Sequence, residues 1–69
     1  MMFHISNHDG TSDSVVNAKR HIARNIAECL TENHHVPVAE AIIAGSWCEL
    51  ACVGEVYEGK TFRIEVADR

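Results

Sequence analysis

The segment Glu49-Leu-Ala-Cys-Val-Gly54-Glu-Val-Tyr57-Glu58-Gly59-Lys60-Thr-Phe62-Arg-Ile64-Glu-Val66-Ala67 reads as two β-strands joined by a tight turn. Phe62, Ile64 and Val66 alternate with Thr61, Arg63 and Glu65, the period of two expected of a strand with one buried face. A two-residue loop, Glu58-Gly59, would set Glu55, Val53 and Ala51 beside the apolar trio and bury a carboxylate. A three-residue loop, Tyr57-Glu58-Gly59, pairs Val56 with Lys60 and places Gly54, Cys52 and Leu50 opposite Phe62, Ile64 and Val66. The second register is preferred, because one face then reads Leu50, Cys52, Gly54, Val56, Phe62, Ile64, Val66 and the other Ala51, Val53, Glu55, Thr61, Arg63, Glu65. It predicts a G1 bulge with Gly59 in the left-handed region, and a helix passing close to Gly54.

Working toward the N-terminus, Met1, Phe3 and Ile5 alternate with Met2, His4 and Ser6, which predicts a short strand over residues 1–6. Asn7-His8-Asp9-Gly10 follows as a turn. Thr11 or Ser12 is then placed to cap a helix, with Asp13 near the positive end of its dipole. From Val15, the residues Ala18, Ile22, Ile26, Cys29 and Leu30 recur at spacings of three and four, with Ala23 and Ala27 widening the stripe. Asn33-His34-His35 ends this helix. Pro37 opens a second one over residues 37–44, closed by Gly45, with a strand as the competing reading of that short apolar run.

The expected architecture is therefore α+β, a single small domain over residues 1–69 in the order β-α-α-β-β. A three-stranded sheet with a C-terminal β-hairpin carries one long amphipathic helix on its apolar face. Trp47, the only tryptophan, stands at the entry to the hairpin as core packing or as an interface anchor.

A chain of 69 residues makes one domain and buries only about 60% of its unfolded surface, so a second subunit is a natural source of added stability. Unpaired sheet edges favour the same outcome, and a homodimer is expected. Three cysteines are an odd number and no N-terminal signal segment is visible, which points to a reducing cytoplasm. No apolar run approaches the ~20 residues that span a bilayer, so no membrane partner is expected. The formal charge of −4 argues against a dedicated nucleic-acid binder, and protonation of all five histidines would bring it to +1.

Candidate chemistry is sparse. Cys48 and Cys52, with His34 and His35, resemble zinc ligands, but in an extended strand the two sulfurs would stand about 13 Å apart, too far to share a tetrahedral ion. Cys29 belongs to the apolar stripe. His8-Asp9 forms no productive pair by adjacency alone, and Ser12 and Ser14 read as capping residues rather than nucleophiles. The loop from His8 to Ser14 leads to the expected helix N-terminus, where backbone N–H groups bind phosphate, yet Asp9 and Asp13 repel an anion and no Walker lysine is present. No catalytic, cofactor or metal site is expected.

Two functional readings follow. The first is a non-enzymatic protein-binding or adaptor protein, contacting its partner through Trp47, Glu55, Tyr57, Glu58 and Arg63. It draws on the acidic surface around the hairpin, Glu49, Glu55, Glu58, Glu65 and Asp68. The short, acidic, motif-poor profile is similar to that of many small bacterial and phage accessory proteins that occupy a partner's surface. The alternative is a nucleic-acid-binding regulator using a basic stripe of the first helix, Lys19, Arg20 and Arg24, with His21 beside them and Arg24 able to pair with Glu28. A helix pair followed by a hairpin also resembles part of a winged helix, but residues 37–44 run straight into the hairpin and leave no separate basic recognition helix.

Overall fold

A computed structural model describes residues 1–68. The chain runs β1 (Met2–Asn7), β2 (Asp13–Asn17), α1 (Ile22–Asn33), α2 (Val38–Leu50), β3 (Val56–Glu58) and β4 (Phe62–Ala67). The strands form one antiparallel sheet in the order β2-β1-β4-β3, and both helices cover one of its faces. The α+β class is as expected. The sheet has four strands where three are expected, and the two helices, expected as one long and one short, are nearly equal at 12 and 13 residues.

The extra strand comes from residues expected to open the helix. Thr11, Ser12 and Asp13 cap nothing; Asp13–Asn17 returns along β1 with Phe3 opposite Val16 and Ile5 opposite Ser14. The turn is built from local polar groups: Asp9 Oδ1 accepts from Thr11 N–H at 3.0 Å and from its hydroxyl at 2.6 Å, while Gly10 takes φ 78°. The Asn7 N–H then donates to the Ser12 carbonyl at 3.0 Å, and pairing proceeds from there. Val15 and Val16 suit a pleated surface, and β1 needed a neighbour on this side. The helix starts only at Ile22, behind His21 at φ 53°, with no side-chain cap.

The second helix is longer than expected. It continues through Gly45 to Leu50, because Ala41, Ala44, Gly45 and Cys48 fall on one face and pack inward. Gly45 does not end the helix; it is the point where α2 meets α1. A Cβ there would overlap the Ala23 carbonyl oxygen and lie 3.1 Å from its carbonyl carbon. The helix approach predicted at Gly54 is found at Gly45 instead, and a Cβ at Gly54 would meet open space.

The C-terminal hairpin forms, but in neither register weighed from sequence. Val56 pairs with Glu65, Tyr57 with Ile64 and Glu58 with Arg63. The bulge lies at Gly54, not Gly59. Glu55 N–H donates to the Cys52 carbonyl at 3.1 Å, closing a turn with Gly54 in its third position at φ 95°, the geometry a type II turn asks of glycine. Gly54 N–H then donates to the Val66 carbonyl at 2.8 Å and Val66 N–H to the Glu55 carbonyl at 3.0 Å, so two residues oppose one. Leu50, expected opposite Val66, belongs to α2 and is 88% exposed. The alternation of β4 is as expected, with Phe62, Ile64 and Val66 buried and Arg63 and Glu65 exposed.

The core joins Phe3 and Ile5 of β1 and the β4 trio to Ile26, Leu30, Ala41, Ala44 and Cys48. Burial pushes the Cys48 thiol up to about 12, so it stays protonated and packs as a small hydrophobe. No helix among the described residues is long and apolar enough to cross a membrane.

Candidate functional site

The helices cover one side of the sheet and leave the other open. Alternation decides what the open side carries: Met2, His4 and Ser6 from β1, Asp13, Val15 and Asn17 from β2, Arg63, Glu65 and Ala67 from β4, and Val56 and Glu58 from β3. Cross-strand pairing sets these in rows. One row runs Val15, His4, Glu65, Val56, and the next runs Asp13, Ser6, Arg63, Glu58. A hollow of about 260 Å³ lies over the β2, β1 and β4 strands, lined among others by His4, Ser6, Asp13, Val15, Arg63 and Glu65. Arg63 reaches Glu58 at 3.5 Å and Glu58 reaches His8 at 3.7 Å, both pairs solvent-exposed and therefore weakly held.

The five residues expected to form one contact surface are divided by the structure. Glu58 and Arg63 lie together on the open face. Trp47 and Tyr57 lie on the helix side, their ring centroids 5.3 Å apart, and Tyr57 stacks on Phe62 at 5.9 Å. Glu55 sits in the turn before β3, where its carboxylate accepts the Cys52 N–H at 2.6 Å and serves the loop. The sequence reading missed His4, Asp13 and Val15 as companions of Arg63. The outward placement of His4 was visible in the β1 alternation, but nothing local brings β1 beside β4, more than fifty residues further along the chain.

The cations of the expected basic stripe are also divided. Lys19 and Arg20 occupy the loop before α1, and only Arg24 is on the helix, 3.7 Å from Glu28. Cys48 and Cys52 do not share an extended strand. Cys48 is helical and buried while Cys52 is exposed in the following loop. Among the described residues no three His, Cys, Asp or Glu side chains converge in a way that could hold a metal ion.

One polar cluster was not anticipated. His34, 3% exposed at the C-terminal end of α1, has Nδ1 2.8 Å from Asn7 Oδ1 and Nε2 2.8 Å from Ser14 Oγ. Asn7 Nδ2 donates to Thr11 Oγ1 at 3.1 Å, which fixes Oδ1 as the acceptor toward His34. Nδ1 therefore carries the proton, and Nε2 accepts from the Ser14 hydroxyl. This is the hydrogen-bond order of an activated serine. Ser14 shares a face with the buried Ile5, however, and its hydroxyl is turned toward the helix layer beneath the His34 ring. The geometry suits a structural relay that ties the end of α1 to the first hairpin, and among the described residues no buried side-chain polar atom is left without a hydrogen-bond partner.

Desolvation is the main influence on His34 and lowers its pKa from 6.5; nearby Asp13 opposes this and His35 adds to it. The unfolded chain thus holds the proton more tightly than the folded one. The resulting contribution to stability is intact above pH 6.5, declines as the pH falls below that value, and levels off beneath the lowered folded value. We expect the melting temperature to fall with acid through this window and His34→Gln to weaken the dependence. An NMR titration of His34 with a midpoint at or above 6.5 would contradict the assignment.

Comparison with protein-family models, curated proteins and solved structures found no match to this chain.

Proposed function

We propose that the chain is a non-enzymatic protein-binding or adaptor protein, working in the cytoplasm as a homodimer and meeting its partner on the open face of the sheet. The observation that carries this reading is the composition of that face. Val15, 57% exposed, and Val56, 36% exposed, flank a hollow edged by Arg63, His4, Glu65 and Asp13. Apolar side chains within a rim of both charge signs are the makings of a specific protein contact, where charges set orientation and apolar area supplies affinity. Three free thiols, one of them buried, suit a reducing compartment. The nucleic-acid alternative is weaker, since Lys19, Arg20 and Arg24 do not form a helical stripe and Arg24 already faces Glu28.

The reading is tested by affinity capture with two baits, the wild-type chain and a Val15→Asp, Arg63→Glu variant of matched circular dichroism. A partner is expected on the wild-type bait and lost by at least tenfold on the variant. Equal capture by both would remove the open face as the site, and capture of nothing would remove the binding function.

A further inference from the structure

We infer that the outward face of α2 is a self-association surface, on which a second copy of the chain packs its own α2 antiparallel about a two-fold axis at Ser46. The inference adds an interface to the homodimer named above, on the side of the molecule opposite the partner face.

The starting observation is that α2 lacks a polar side. Its inward face is Ala41, Ala44, Gly45 and Cys48, yet Val38, Ile42, Ile43 and Leu50 on the outside are 65%, 54%, 61% and 88% exposed. A helix apolar all round is normally enclosed. At 100° per residue, Ile42, Ser46 and Leu50 lie along the middle of the exposed face, with Ser46 halfway between the two large side chains. Beside them a groove of about 290 Å³ runs between α1 and α2, lined by Ala23, Ala27, Ser46, Ile42 and Arg24.

A two-fold interface must be complementary to itself. This face meets that condition in shape, because it carries large protruding side chains next to a groove lined mostly by small residues. An antiparallel crossing at Ser46 sets Ile42 of one copy against Leu50 of the other and lets the helices approach over a small side chain. It meets the condition in charge as well. Glu49 is the one acidic or basic residue among the exposed positions of α2, and the same operation carries it toward Arg24 at the groove rim of the other copy. Arg24 is 69% exposed and its contact with Glu28 is 3.7 Å, so it is free to turn. A foreign helix would need to match these features; a second copy has them by construction.

The experiment is light scattering on the full, reduced chain at micromolar concentration. The wild-type chain is expected at twice the single-chain mass and Ile42→Asp at the single-chain mass with unchanged circular dichroism. A second variant, Ser46→Cys in a Cys52→Ser background, is expected to form an intermolecular disulfide between the two introduced thiols on oxidation, located by peptide mapping. Arg24→Glu should raise the dimer dissociation constant about tenfold, and adding Glu49→Arg should restore it. A monomeric wild-type chain, or a dimer that survives Ile42→Asp, overturns the inference. A monomeric wild-type chain would also remove the homodimer from the proposed function, whereas partner capture on the open face reads the binding function separately.

Discussion

Phe3→Ala is expected to remove a large share of the folding stability of the chain. Phe3 is fully buried on β1, one of the two central strands, and stands between Val16 of β2 and Val66 of β4. Removing a buried phenylalanine side chain costs about 3–5 kcal/mol through lost transfer energy and the cavity left behind. A domain of this length holds only roughly 3–10 kcal/mol in total. The cavity cannot collapse easily, since the backbone on both sides of β1 is held in sheet hydrogen bonds. Val15→Ala on the open face is the control, expected within about 0.5 kcal/mol of wild type. Thermal melts by circular dichroism at one protein concentration decide the matter. A Phe3→Ala chain melting within a few degrees of wild type would mean that the core is not centred on β1.

Gly45→Val is expected to have an effect of similar size by the opposite route, overfilling. Helix propensity alone favours replacing glycine, by up to about 1 kcal/mol for alanine. Here the first atom added at Gly45 meets the Ala23 carbonyl oxygen, which belongs to helix backbone and cannot rotate away. The two helices must part, opening the contact that seals Ile26, Leu30, Ala41 and Ala44. Overpacking of this kind costs about 1–3 kcal/mol, and more when backbone has to move. At roughly 4–8 °C per kcal/mol for a chain of this size, Gly45→Ala should lower the melting temperature by about 5–15 °C, with Gly45→Val lower still. A Gly45→Ala chain that melts at or above wild type would show that α1 and α2 do not cross at this point.

These two positions differ in how they could be read before the fold was known. Phe3 alternates with His4 and Ile5 with Ser6, so its burial follows from period alone. Gly45 looked like a helix stop, the commonest use of glycine beside an apolar run. Only the packing of α1 against it shows that its role is to let two backbones approach.

Local residue spacing is enough to tell which face of each well-patterned element is apolar. The alternation of β4, the strand at Phe3 and Ile5, the Asn7–Gly10 turn and the helical stripe through Ile26 and Leu30 all follow from spacing within a dozen residues. What each element lies against depends on contacts that form only in the folded chain. Asp13–Asn17 became a strand because β1 pairs with it, although the spacing from Val15 through Ala18 to Ile22 fits a helix equally well. The hairpin register was set by Leu50 remaining in α2 and by the turn at Gly54, and not by the loop beside Gly59. The same holds for the surfaces. Arg63 pairs with Ser6 and Glu65 with His4, and His34 meets Asn7 and Ser14, across sequence separations that no local period can register. Periodicity reports a preference for burial and says nothing about the partner, because pairing energy belongs to segments that only the folded chain brings together.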